Sequence, residues 1–381
     1  METEMDNRGS KSEIQYPQPN IISVKEQRVD GSWYILNTIN KIHLRCTLMG
    51  FERNYHVKIL SKQWNIKKFS TLTYPAYVNP WFWTGLIDAE GSFSVRVDKN
   101  NRRKLGWRAQ SKFKFSLHNR DLSLLLQFKQ NLGGIGTIHI NSSRNIVNLS
   151  VDSKKDLTKL INHLETYPRP LGLLTQGQRQ AADFMLFKEV VKLMNTKDHL
   201  SIEGLKKIIN IKASMNLGLS DLLKSEFSEI NPVERQVINI ENIPDPNWMA
   251  GFASGEGNFD VRITQQSSNK IGYRVQLRFR ISQHDRDIQL MKYLMKYLGT
   301  GSIYKYTGKS AIVLTIFKFS DIMNRIITFF DKNPILGVKL FYYLDWCKIA
   351  KLMKEDKHLT LEGLNKIRVI KSGMNTSRKM D

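Results

Sequence analysis

Residues 79–93 read NPWFWTGLIDAEGSF and residues 247–259 read NWMAGFASGEGNF. Pro80 lies near the start of the first stretch and Pro246 just before the second, and each stretch carries a Glu-Gly pair near its end, Glu90-Gly91 or Glu256-Gly257. Proline early and glycine late are the marks of a helix with defined ends. The copies stand 166 residues apart, and FKFSLHNR at 113–120 keeps that offset from FRISQHDR at 279–286. Late in each half, HLSIEGLKKIINIKASMN (199–216) answers HLTLEGLNKIRVIKSGMN (358–375) at an offset of 159, so the second copy is seven residues shorter after its sheet. Three matched segments in one order identify a tandem duplication.

Between these landmarks the period changes from helix to strand. Phe93, Val95 and Val97 alternate with Ser94, Arg96 and Asp98. On the return run, Trp107, Ala109, Phe113 and Phe115 stand against Arg108, Gln110, Lys112, Lys114 and Ser116. The second copy sets Phe259, Val261 and Ile263 against Asp260, Arg262 and Thr264, then Tyr273, Val275, Leu277, Phe279 and Ile281 against Arg274, Gln276, Arg278, Arg280 and Ser282. Period two with one apolar face predicts half-buried antiparallel strands. Helical patterns at 122–131 and 288–298, a further strand pair around 137–151 and 302–317, and closing helices complete each copy. The expectation is an α+β fold of two pseudo-symmetric αββαββα units, over 76–218 and 247–381. A linker at 219–246, carrying Pro232, Pro244 and Pro246, joins them. Residues 1–75 are expected to be a weakly structured extension with one short strand or helix near 57–64.

The 381 residues carry 58 Lys and Arg against 35 Asp and Glu, a net charge of +23. With 41% hydrophobic and 10% aromatic residues, wholesale disorder is excluded. Cys46 and Cys347 are too few for a disulfide framework and have no zinc spacing. The best apolar run, 311–317, falls far short of the ~18 residues of a membrane span, so no membrane partner is expected. Residues 1–20 carry Glu2, Glu4, Asp6 and Glu13 and do not read as an import signal. So basic a chain points to a polyanion, most economically nucleic acid.

The polar strand faces carry that idea further. Arginine reads guanine bidentately, glutamine reads adenine, and a two-stranded ribbon fits the major groove. Candidate contacts to double-stranded DNA are Ser94, Arg96, Arg108, Gln110, Lys112, Lys114 and Ser116 in the first unit. In the second they are Asp260, Arg262, Thr264, Arg274, Gln276, Arg278, Arg280 and Ser282. Two ribbons in tandem would cover two half-sites. Gly85 and Ala89, and likewise Gly251 and Gly255, stand four apart, so each pair shares a helix face that admits a close neighbour. If those faces meet, Glu90 and Glu256 end side by side, against both helix dipoles and against each other. A hard divalent cation is the natural mediator. Two carboxylates with a metal beneath a basic face describe metal-assisted phosphodiester hydrolysis.

GLIDAEG at 85–91, preceded by Trp83 and Thr84, and AGFASGEG at 250–257 resemble the two motifs of the LAGLIDADG homing endonucleases. The single-chain, double-motif kind of fungal mitochondrial introns is the nearest likeness. It runs from about Asn79 to Met374 and takes in KASMNLGLSD (212–221) and KSGMN (371–375). The resemblance implies a saddle of antiparallel sheets around two packed motif helices. It implies that Glu90 and Glu256 hold the metal, helped by the carbonyls of Ala89 and Gly255. It also implies water-ordering polar residues: Gln283, matched by Leu117 in copy one, and Lys339 in GVKLF, for which copy one offers Gln178, Arg179 or Gln180. Asp88 is matched by Ser254, which favours a local contact over catalysis, and His118 and His284 read as strand-end phosphate contacts or solvated turns. Further implications are Mg²⁺ as cofactor (Mn²⁺ as a substitute, Ca²⁺ binding without cleavage) and a monomer in the mitochondrion. Its product would be a double-strand break with short overhangs in a long, degenerate target. The alternative is a maturase that binds intron RNA, alone or as a second role; retention of both acids speaks against a purely non-catalytic protein.

Overall fold

The computed structural model describes residues 34–38, 41–48, 51–55, 77–168, 179–215, 218–235 and 243–374. The chain divides into two units, Met1–Thr73 and Tyr74–Asp381. In the first, β1 (Tyr34–Thr38), β2 (Lys41–Leu48) and β3 (Phe51–Tyr55) form an antiparallel sheet in that order, with Thr38 opposite Lys41 and Leu48 opposite Phe51. These three strands lie within the stretch expected to be a weakly structured extension. The signal was present: Ile42, Leu44, Cys46 and Leu48 alternate with Lys41, His43, Arg45 and Thr47, the period of a strand. The element expected near 57–64 lies outside the described residues.

The second unit holds both copies of the repeat. Helix α1 (Pro80–Glu90) starts where the Asn79 side chain accepts from the Trp81 N–H at 3.0 Å, with proline in the first turn. Then follow β4 (Gly91–Lys99), β5 (Trp107–His118), α2 (Leu122–Asn131), β6 (Thr137–Asn141), β7 (Ile146–Val151), α3 (Lys154–Thr166), α4 (Arg179–Asn195) and α5 (Ile202–Ala213). A short helix, α6 (Asp221–Glu226), lies within the stretch read as a linker.

The second copy repeats the order with α7 (Pro246–Glu256), capped by Asp245, then β8 (Gly257–Gln265), β9 (Tyr273–His284), α8 (Ile288–Leu298), β10 (Ser302–Lys305) and β11 (Ala311–Ile316). A broken helix over Phe319–Asp321, a π turn Ile322–Ile327 and Thr328–Lys332 follows, then α9 (Lys339–Lys354) and α10 (Leu361–Ser372).

Each copy builds one four-stranded antiparallel sheet, ordered β4-β5-β7-β6 and β8-β9-β11-β10. The alternation read from sequence sorts the faces. In β4, Phe93, Val95 and Val97 are buried, while Ser94, Arg96 and Asp98 are on the open side; β8 and β9 repeat the pattern. Phe113, Phe115 and Phe128 fill the first core with Phe93, Phe184 and Phe187. Phe259, Phe279, Phe330, Tyr343 and Trp346 fill the second.

Helices α1 and α7 pack against each other through their backbones. A Cβ built on Gly85 would sit 2.0 Å from the Trp248 carbonyl oxygen, and one on Gly251 would sit 1.9 Å from that of Phe82. Farther along, a Cβ on Gly255 would meet the Ala89 Cβ at 2.3 Å. No side chain larger than hydrogen fits at the two crossing glycines, so main chain lies on main chain. The seam fixes both helix ends, and therefore Glu90 and Glu256, at one place between the sheets.

Candidate active site

Glu90 and Glu256 are the last residues of α1 and α7. The Glu90 side chain approaches the other helix closely: its Oε1 lies 3.5 Å from a Cβ built on Gly255. Burial, and after it the charge of Glu256, pushes the Glu90 carboxyl up to about 7. Burial also raises Glu256, opposed by a side-chain hydrogen bond from Gln283 and by the Lys339 charge. Two acids held together in a low-dielectric site are waiting for positive charge.

Lys339, at the start of α9, supplies some of it. Its ammonium is buried and donates to the Gly255 carbonyl oxygen. Burial pulls the ammonium down to about 8, while Glu256, Glu90 and Asp121 oppose that fall. Gln283 lies at the end of β9, opposite Ile312, and bonds Glu256. In the first copy Leu117 takes the equivalent place and lines a cavity with Glu90. Gln178 lies outside the described residues. Arg179 and Gln180 fall in the first turn of α4, but their side chains are not described. Asp88 accepts from the Trp248 indole N–H at 2.7 Å, a brace across the seam. Ser254, its counterpart, donates to the Ala250 carbonyl at 2.8 Å and accepts from the Leu336 N–H at 3.2 Å. His118 and His284 end β5 and β9, where each ring accepts from a backbone N–H two residues on, at 3.3 Å.

A cavity of about 400 Å³ opens beside the acids, lined among others by Glu90, Gly255, Lys339, Arg120, Asp121 and Tyr342. The last three were missed by the sequence reading. Asp121 Oδ1 accepts from the Val338 N–H at 2.7 Å, a bond between residues 217 apart that links the first copy to the loop carrying Lys339. Gly337 is the turn that allows it: its φ is +75°, and a Cβ there would lie 2.6 Å from Asp121 Oδ1. Arg120 stacks its guanidinium over the Tyr342 ring at 5.6 Å. The signal for Asp121 was its recurrence as Asp287 in HNRD and HDRD.

The open sheet faces flank this centre. Cross-strand register pairs Ser94 with Lys112, Arg96 with Gln110 and Asp98 with Arg108; in the second sheet it pairs Asp260 with Arg278, Arg262 with Gln276 and Thr264 with Arg274. Ser116 bonds Asn148 on the neighbouring strand at 2.7 Å, and Arg280 and Ser282 lie opposite Thr315 and Val313. The outer strands extend the same faces with His139, Asn141, Ser302 and Tyr304, which the sequence reading had left out. Eight basic side chains (Arg96, Arg108, Lys112, Lys114, Arg262, Arg274, Arg278, Arg280) stand against the two acids Asp98 and Asp260.

Among the described residues no three His, Cys, Asp or Glu side chains converge on one point. Of the donors that the resemblance implies, the structure brings the Glu90 and Glu256 carboxylates together, with the Gly255 carbonyl bonded by Lys339. This set fits a hard divalent cation of the Mg²⁺ type, which uses one or two carboxylates and completes its shell with water and phosphate oxygens. The Gly255 carbonyl keeps its second lone pair beside the Lys339 bond.

Two basic sheet faces joined at a half-buried pair of acids define a two-lobed scaffold for cutting nucleic acid. The family profile described as LAGLIDADG endonuclease matches residues 83–191 and 249–350. "Probable intron-encoded endonuclease 3" of Neurospora crassa is 56% identical over 97% of this chain and 70% of its own length, and "Probable intron-encoded endonuclease 2" of that organism is 38% identical over 78% and 66%. Among solved structures, the I-SmaMI LAGLIDADG homing endonuclease bound to cleaved DNA is 43% identical, with a TM-score of 0.75, covering 80% of this chain and 99% of that one. I-GzeII in complex with its DNA target is 40% identical, with a TM-score of 0.72, covering 80% and 100%. The chain belongs to the LAGLIDADG endonuclease family.

Proposed function

We propose that this protein is a site-specific endonuclease that makes a double-strand break in a long DNA target by divalent-metal-assisted hydrolysis. The observation that carries this is the pair Glu90 and Glu256, half-buried at the ends of two packed helices between two basic sheet faces. One chain supplies both halves, so the working form is a monomer. The cation is Mg²⁺ or Mn²⁺, with Ca²⁺ binding unproductively; I-SmaMI has been seen on uncleaved DNA with calcium ions. The proposed location is the fungal mitochondrion, a reading supported by relatives named for ND4 and cox1 introns.

A divalent cation held by Glu90 and Glu256 would neutralise charge building on the scissile phosphate and would make nearby water easier to deprotonate. Their carboxylates would be charged in holding it. Gln283 orients Glu256, and the buried Lys339 ammonium adds positive charge beside the phosphate. Open-face side chains hold the duplex so that both scissile phosphates lie over the seam.

The deciding experiment incubates the protein with fragmented organellar DNA in Mg²⁺, with Ca²⁺ as control, and sequences the new ends. Discrete Mg²⁺-dependent ends at one locus support the proposal. No ends, with tight retention of intron RNA, would replace it with a maturase.

Three results are expected from the same preparation. DNA affinity falls with log[salt] at roughly −0.9 per phosphate contact; if half of the eight basic side chains meet phosphates, the slope is roughly −4. A flat response in a potassium chloride series would contradict the basic faces as the DNA surface. Mg²⁺ affinity depends on pH, because Glu90 titrates at about 7. Below that value the cation must displace a proton, so affinity drops about tenfold per pH unit. Calorimetry in two buffers of different ionisation enthalpy measures the proton released, and equal affinities either side of neutrality would refute this. Finally, Asp121→Ala frees the Val338 N–H and loosens the Lys339 loop, slowing cleavage roughly tenfold. Asp121→Asn keeps a carbonyl acceptor and most of the rate; equal loss in both would make the charge of Asp121, rather than its bond, the requirement.

A further inference from the structure

A carboxylate on a face that must approach phosphates repels its own ligand. Among the outward positions of β4, β5, β8 and β9 there are two, Asp98 and Asp260. Both are held by arginines. Arg278 donates to Asp260 Oδ2 through Nε at 2.7 Å and through Nη2, and Arg280 Nη2 lies 3.4 Å from the same oxygen. Arg96 Nε donates to Asp98 Oδ1 at 2.7 Å, with Arg108 Nη2 3.5 Å from Oδ2. The Arg96–Asp98 pair is exposed on its arginine side, and such pairs contribute little to stability, while the Asp260 cluster is partly buried. What they do is remove rotamer freedom from a long side chain. An arginine whose Nε edge is taken by a carboxylate still has its Nη1 donors and the outer hydrogen of Nη2, which match the O6 and N7 acceptors of guanine.

The two clusters stand at different places in the repeat. Asp260 corresponds to Ser94, and Asp98 corresponds to Thr264. The strands start at the motif glutamates, so distance from the active centre can be read along them. Asp260 is four residues beyond Glu256 and Asp98 eight beyond Glu90. At ~3.3 Å per residue these are about 13 and about 26 Å along the strand, or roughly 4 and 8 base pairs of DNA rise.

We infer that Asp260 and Asp98 are specificity determinants that pre-set guanidiniums for guanine. The target then carries a discriminated guanine at an inner position of the half-site read by the second copy of the repeat and at an outer position of the half-site read by the first copy. The inference rests on the endonuclease reading above and adds to it an orientation of the target that the pseudo-symmetric fold does not itself supply.

The test takes the target found by end sequencing and replaces every base pair singly. Cleavage rates are then profiled for the wild type, Asp260→Ser and Asp98→Thr, each variant carrying the residue of the opposite copy. The wild type is expected to prefer guanine roughly tenfold at one inner and one outer position, in opposite half-sites. Asp260→Ser flattens the inner preference alone and Asp98→Thr the outer alone; the unaltered positions serve as internal controls for folding. Flattening at equal distances from the centre, flattening in one half-site only, or an unchanged profile would overturn the inference. So would loss of a cytosine preference, which would make the carboxylate itself the reader. A wild-type protein that cuts no DNA would remove the endonuclease reading beneath it, an outcome distinct from cutting with another profile.

Discussion

Replacing Glu90 by Gln is expected to abolish cleavage while making the protein more stable. The two effects share one cause. Burial and the neighbouring Glu256 raise the Glu90 carboxyl from 4.5 to about 7. Between those values the folded chain binds more protons than the unfolded chain, so stability falls as pH rises through the interval and levels off above about 7. The difference corresponds to at most about 3 kcal/mol at alkaline pH. Glutamine carries no charge and removes that cost, but it cannot hold a cation with a carboxylate. Cleavage should drop at least about a thousandfold, in line with the loss of a principal electrostatic stabiliser. Binding of uncut duplex stays near the wild-type level, because the basic faces are untouched. Glu256→Gln should behave alike, with a smaller gain in stability, since its Gln283 bond already favours the charged form. Thermal melts at pH 6 and 8, beside cleavage and binding assays, measure all three quantities. A melting temperature that falls in Glu90→Gln would show that the acid is part of the scaffold.

The second large effect is at the seam. Gly251→Val is expected to destabilise the protein by about 4 kcal/mol or more, because its Cβ would lie 1.9 Å from a backbone oxygen that no rotamer change can move. For a unit of this size that lowers the melting temperature by roughly 10 °C. Even Gly251→Ala meets the same oxygen. Gly373→Ala is the control: its φ is ordinary and its nearest neighbour is 3.6 Å away, so it should melt like the wild type. If Gly251→Val melts unchanged, the helices do not cross through their backbones.

How much of this was visible beforehand depends on whether the relevant neighbours are close in sequence. The duplicated unit was legible because each element announces itself locally. Proline and glycine bound α1 and α7, and period two marks β4, β5, β8 and β9 over nine to twelve residues each. The order of the sheets follows from that. The β2 strand was overlooked although Ile42, Leu44, Cys46 and Leu48 alternate, because eight residues among irregular polar clusters give a weak periodic signal. Asp121 was passed over for another reason. It recurs as Asp287, but its importance lies in a backbone N–H 217 residues away, which no local pattern reveals. Lys339 could be placed near the site by resemblance. That it is buried and donates to the Gly255 carbonyl required the packed seam.

The backbone-on-backbone crossing also separates what this gene can change from what it cannot. Side chains on the open faces touch little of the core, so exchanges there cost within about half a kcal/mol of stability and chiefly alter which sequence is bound. The crossing glycines have no such latitude. A lineage that must follow a drifting site can therefore rewrite its address residue by residue, while the hinge that sets the spacing of the two cuts stays fixed. Variation in overhang length should accordingly be far rarer among relatives than variation in target.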